Sequence, residues 1–135
     1  MSTTVQDPTT ALQATSVSVS FTVNDLARSI EYYTKAFGFE IKERYESEGT
    51  LRFVEMEAGD FSLGIGQDDF AKGRNRVKGV GLRFFITTSQ DLNALAARAR
   101  AAGARLDGDP APLPWGPLAF AFTDPDGFNF TIAND

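Results

Sequence analysis

Two residue types are missing from this chain of 135 residues, and both absences close off chemistry. Without cysteine there are no disulfides, no thiolate nucleophile and no thiolate zinc site. Without histidine the commonest metal ligand and the commonest general base at neutral pH are gone. Ser-His-Asp and Cys-His mechanisms are therefore impossible, and a metal could be held only by oxygen. Positive charge is scarce as well: 13 basic residues face 18 acidic ones, a formal net charge of −5. That balance argues against nucleic-acid binding, which needs a basic patch to neutralise phosphates, and against docking on anionic membranes. No apolar run approaches the roughly 20 residues of a membrane span. Residues 1–15 lack the basic start and apolar stretch of a secretory signal. They read as a mobile N-terminal arm with Leu12 as its one large aliphatic anchor, and the cytoplasm is the default location.

What is present suits one soluble globular domain. The chain is 42% hydrophobic and 23% charged, long enough to bury a core without crosslinks. Its organisation is a repeat. Val17, Val19, Phe21 and Val23 alternate with Ser16, Ser18, Ser20 and Thr22, the pattern of a half-buried strand. Asn24-Asp25 can cap a helix whose apolar stripe is Leu26, Ile30, Tyr33 and Phe37, closed by Gly38. Val80, Leu82, Phe84 and Ile86 then repeat the strand, with Gly81, Arg83, Phe85 and Thr87 on its other face. Thr88-Ser89 can cap a second helix with an inner stripe of Leu92, Leu95, Ala96, Ala99 and Ala102, ended by Gly103. Leu26 and Leu92 stand 66 residues apart, and Gly38 and Gly103 stand 65 apart.

Three short strands are predicted after each helix. In the first unit they cover about 40–46, 51–58 and 61–66; in the second, 105–106, 119–123 and 128–133. The domain then spans 16–135: module one 16–67, a polar linker 68–78, and module two 79–135. Gly108 to Pro117 holds four prolines and carries Trp115, the only tryptophan. The fold class is α+β, tandem βαβββ modules forming a curved mixed sheet with a concave cleft. A cleft of this kind is a natural ligand site.

Val23-Asn24-Asp25-Leu26-Ala27-Arg28-Ser29-Ile30-Glu31-Tyr32-Tyr33, Phe37-Gly38-Phe39 and the turn Asp124-Pro125-Asp126-Gly127-Phe128-Asn129 together resemble the vicinal oxygen chelate superfamily. That superfamily includes glyoxalase I, extradiol dioxygenases and bleomycin-resistance proteins, and Trp115-Gly116 resembles the bleomycin-resistance branch. The resemblance covers about residues 16–133 and implies the fold, not a reaction. Carried over by motif, the metal-ligand positions of metal-dependent members fall on Ser18, on Ser62 or Gly64, on Gly81 and on Thr131. None is a histidine, glutamine or carboxylate, and hydroxyls alone offset too little of a divalent cation's dehydration. The expectation is a metal-free protein without cofactor, not a metal-dependent glyoxalase or dioxygenase.

The candidate ligand-binding residues are Ser18, Ser20, Phe53, Glu55, Arg83, Phe85, Trp115, Phe120, Asn129 and Thr131. Small residues at Ser18, Ser62, Gly64, Gly66 and Gly81 would leave space on the concave face; the plainer alternative is a face covered by a dimer partner. Arg83, alone among apolar neighbours, could clamp a carboxylate or stack on a ring, or could pair with Glu55 or Glu57. Trp115 could be a stacking platform or a lid residue. Of 12 phenylalanines, Phe21, Phe37, Phe84, Phe122 and Phe130 read as core, and Phe53, Phe70, Phe85, Phe120 and Phe128 as candidates to line a cavity or interface. Asp124 and Asp126 read as turn formers. Lys72 to Lys78 reads as a solvated linker. The resemblance to bleomycin-resistance proteins implies sequestration of a hydrophobic or aromatic ligand, cations included, and the family's pairing of subunits implies clefts shared in a homodimer. A metal-free isomerase, cyclase or lyase using cleft Glu and Arg residues is the alternative.

Overall fold

The computed structural model describes residues 10–135, so the 1–15 arm lies mostly outside the described residues. Leu12, expected as an anchor, is 88% exposed. The elements run β1 (Val19–Val23), α1 (Leu26–Phe37), β2 (Glu40–Ser47), β3 (Thr50–Ala58), β4 (Phe61–Gln67), β5 (Arg83–Thr88), α2 (Leu92–Ala101), β6 (Ala111–Pro112), β7 (Leu118–Thr123) and β8 (Asn129–Asn134). They form two four-stranded sheets of identical plan, ordered β1-β4-β3-β2 and β5-β8-β7-β6. In each, the first strand runs parallel to the last and the other pairs are antiparallel. The tandem βαβββ expectation therefore holds, as two open mixed sheets.

Local chemistry explains the elements. Asp25 caps α1 by accepting the Arg28 N–H at 3.1 Å, and Gly38 ends it at φ 73° with its N–H returned to the carbonyls of Tyr33 and Thr34. Four boundaries differ from expectation. Both first strands start late, at Val19 and Arg83, so Val80, Gly81 and Leu82 are not strand residues. Gly79 and Gly81 sit at φ 79° and 76°, a left-handed backbone that breaks extended structure. The cap of α2 is Asp91, not Thr88-Ser89, because Thr88 is the last residue of β5. Leu106 makes only an isolated bridge to Phe122, and the short strand β6 lies within the proline loop instead.

One aromatic core spans both modules. Phe21 of β1 stacks on Phe128 with ring centroids 3.9 Å apart, and Phe37 of α1 stacks on Phe122 at 4.3 Å. Phe122 in turn stacks on Phe130 at 4.8 Å. Helices α1 and α2 touch each other, so the modules meet through their helical sides. Phe120 and Phe128, read from the sequence as cavity-lining candidates, are buried in this core. Phe120 shares a face with Phe122 two residues on, and that face is the inner one.

A polar seam ties the modules together. The backbone N–H of Asn24 donates to Asp126 Oδ1 at 2.9 Å, and the Tyr33 hydroxyl donates to Asp124 Oδ2 at 2.6 Å. Lys78 is buried against Asp68 at 2.9 Å and donates to Asn24 Oδ1 at 2.8 Å. The end of the linker is thus part of the packed structure and not a solvated run. Here Gly79 passes the turn so closely that a Cβ would stand 2.2 Å from the Gly127 carbonyl oxygen.

Candidate functional site

Each sheet buries one face in the common core and turns the other outward. Register defines the outward faces. On the first sheet, Ser20 neighbours Gly64, which neighbours Glu55, which neighbours Glu43. One step along, Thr22, Gly66, Phe53 and Tyr45 form a parallel row. Phe53, Glu55 and Glu57 therefore share the face of Ser20. The space expected above the glycines is taken by Phe53: a Cβ on Gly64 would lie 2.5 Å from its Cζ. Tyr45, which the sequence reading missed, stands beside Phe53 and is 60% exposed. The signal that could have found it is cross-strand pairing, which places it opposite Phe53.

On the second sheet, Arg83, Phe85 and Thr87 share a face with Asn129, Thr131 and Ala133, and with Thr123, Ala121 and Ala119. Arg83 Nη1 donates to Thr131 Oγ1 at 3.2 Å, and the Thr123 hydroxyl donates to Asn129 Oδ1 at 2.9 Å. Phe85 is 52% exposed. Trp115 sits in the tight turn closed by Leu113 N–H on the Pro117 carbonyl and projects into solvent. Of the ten candidate residues, Ser20, Phe53 and Glu55 come together on the first face, and Arg83, Phe85, Asn129 and Thr131 on the second. Ser18 lies exposed just before β1, Trp115 lies in its hairpin turn, and Phe120 is on the core side.

These faces are open surfaces in a single chain. Two grooves flank them: one of about 730 Å³ between α1 and the β2–β3 edge, lined by Leu26, Ile30, Ile41 and Leu51, and one of about 680 Å³ between the β3–β4 turn, β5 and α2, whose lining includes Phe85 and Thr87 of the second face. The strongest electrostatic perturbations lie off the faces. Burial raises the Asp124 carboxyl above its ordinary range, against the pull of the Tyr33 hydroxyl and the Phe128 and Asp126 amides. Burial, reinforced by Asp124, raises the Tyr33 phenol. The hydrogen bond from Lys78, with the Phe70 amide, lowers Asp68. All three serve the seam.

Paired βαβββ modules with outward faces of this kind define the glyoxalase-like class of folds. The sequence matches the model of the glyoxalase/bleomycin resistance protein/dioxygenase superfamily over residues 15–132, and the chain belongs to that superfamily. Among curated proteins it is 30% identical over 129 residues to lactoylglutathione lyase GLX1 of Arabidopsis thaliana, covering 84% of this chain and 42% of that protein. The chain thus spans less than half the length of that relative. Two solved structures share its fold: TioX from Micromonospora sp. ML1, with a TM-score of 0.70 at 21% identity over 88% of this chain and 98% of the other, and UcmS2, with 0.72 at 19% over 90% and 98%.

Many members of this superfamily use a metal, so the fit of these residues matters. Thr131 is a hydroxyl already accepting from a guanidinium, Gly81 has no side chain, and Ser18 and Ser62 are neutral. Among the described residues no three His, Cys, Asp or Glu side chains gather closely enough to hold a metal ion. The donor set does not fit a divalent cation.

Proposed function

We propose that this protein is a metal-independent binder that sequesters a hydrophobic or aromatic small molecule, cationic ligands included, in clefts completed by a second copy of the chain. The observation that carries the reading is the set of large apolar side chains left exposed at the free sheet edges and on the outward faces. β1 and β5 are both end strands of their sheets. Beside them Val17 and Val80 are each 79% exposed and Leu82 is 48% exposed, while Tyr45 and Phe85 stand out from the faces themselves. Large apolar side chains at free sheet edges mark surfaces that a partner covers. Apolar contact and ring stacking would supply the affinity.

The test joins three measurements. Sedimentation should give a dimer. An aromatic ligand should change Trp115 fluorescence and be recovered unchanged. Metal analysis should find no stoichiometric zinc, iron or manganese. A monomer that ignores an aromatic library would defeat the reading. The likeness to a lactoylglutathione lyase favours a second reading, a metal-free enzyme with Glu55 on the cleft wall as base. Glu55→Gln separates the two: it stops turnover in an enzyme and leaves a binder's ligand untransformed as before.

A further inference from the structure

We infer that the outward face of the second sheet is a carboxylate clamp, built from Arg83, Asn129 and Thr131, for an acid group carried on an aromatic body. The inference rests on the reading of these faces as ligand walls and narrows the ligand of the second face to an acid, against a cation there.

Arg83 is the single ionisable side chain in the four strands of its sheet. Arg28, Arg76 and Arg100 have carboxylate partners in Asp126, Asp68 and Asp109, whereas Arg83, like Arg44, Arg52, Arg74, Arg98 and Arg105, shows no such ion pair among the described residues. It is the uncharged sheet around Arg83, not its lack of a partner, that sets it apart. Its guanidinium is nevertheless positioned, because one N–H is spent on the hydroxyl of Thr131, itself only 9% exposed. The rest of the planar fork remains free.

Asn129 adds to the same donor surface. It is the cross-strand neighbour of Arg83, and its carbonyl oxygen is taken by the Thr123 hydroxyl. With its oxygen engaged, the amide keeps its N–H₂ end as the donor left for a ligand. Two adjacent donors, no competing carboxylate and one positive charge describe a site for a monoanion. A planar carboxylate matches the fork of a guanidinium better than a single-point anion does. Next along the face, Phe85 stands over a floor of Ala119, Ala121 and Ala133, which leaves room for a flat ring against it.

The test uses 2-naphthoate, its neutral isostere 2-naphthamide, and acetate, read by NMR at the Arg83 Nε–H and the Phe85 ring. Naphthoate should bind about tenfold tighter than naphthamide, the scale of a charge-assisted pair at a partly exposed site. It should shift the Arg83 Nε–H saturably. In Arg83→Gln that preference should vanish while naphthamide binding stays. Thr131→Val should weaken the preference by freeing the guanidinium, and Thr131→Ser should restore it, which a loss of packing alone would not predict. Equal affinity of the two naphthyl probes, with shifts at Phe85, would leave the ligand wall and remove the clamp. Acetate engaging Arg83 with no gain from a ring would sink the aromatic wall and this inference with it. Silence from all three probes would overturn both.

Discussion

The two modules share one plan and differ in almost everything they turn outward. The edge pair β2–β3 of the first sheet carries Glu40, Lys42, Glu43, Arg44, Glu46, Arg52, Glu55 and Glu57, whereas the second sheet carries only Arg83. The first face is floored by glycines with a phenylalanine laid across them; the second is floored by alanines beside an exposed one. The inner faces, by contrast, converge on one aromatic core. The duplicated part of the molecule is thus its interior, held in common, and the individual parts are its walls. Substitutions at the seam should therefore cost far more than substitutions on a wall.

The largest effect is expected where the halves touch backbone to backbone. Gly79→Ala places a Cβ 2.2 Å from the Gly127 carbonyl oxygen at a residue with φ 79°, so strain and clash add. A loss of about 3 kcal/mol or more should appear in urea unfolding. A loss under about 1 kcal/mol would mean the seam yields and the modules are less firmly joined than the contact implies. Next comes Tyr33→Phe, which deletes the hydroxyl donor at 2.6 Å from buried Asp124. The three backbone N–H groups on that carboxylate all donate to Oδ1, so Oδ2 is left buried without its donor, and the cost should be about 1–3 kcal/mol.

The linker end supplies a pH-dependent contrast. Asp68 is held below its ordinary range, first by the Lys78 hydrogen bond. A carboxyl lowered in the folded state stabilises it above the unfolded value of about 4, and that contribution fades as pH falls through the lower folded value. Asp124, raised by burial, has the opposite sign: taking up its proton favours the fold. The stability difference between the native chain and Lys78→Met should therefore be largest at neutral pH and narrow as pH drops below about 4. A difference that stays constant with pH would show that Lys78 acts through packing alone.

Much of this was legible in the sequence because it is local. The Asp25 cap and the Gly38 stop are encoded within a turn of where they act, and the duplication shows because such local signals recur 65–66 residues on, at Leu92 and Gly103. The misplacement of Phe120 was avoidable, since Phe120 and Phe122 are two apart on one strand and cannot point opposite ways. The early start given to β5 followed the alternation of Val80 and Leu82 past two glycines whose backbone forbids a strand. The seam could not be read at all. Asn24 meets Asp126 across 102 residues and Lys78 meets Asn24 across 54, and nothing near either residue announces its partner. The candidate site fell between these cases: alternation placed Arg83, Phe85, Asn129 and Thr131 together, but only cross-strand register brought Tyr45 to Phe53.

The smallest effect should come from Gly64→Ala on the first wall. The added Cβ would stand 2.5 Å from Phe53 Cζ, nearly as short as the approach at Gly79. The main obstacle, however, is the far end of a side chain on a partly exposed face, with the Ser20 Cβ at 3.1 Å needing only a small shift. The ring can swing out about its χ1, and an alanine in place of glycine recovers about 0.5–1 kcal/mol of backbone entropy. Stability should accordingly change by less than about 1 kcal/mol, while the Phe53 ring resonances move as the ring leaves its glycine floor. A large destabilisation would mean that Phe53 belongs to the core. The first face would then keep only Tyr45 as an adjustable aromatic, and the contrast between a shared interior and independent walls would be weaker in the first module than in the second.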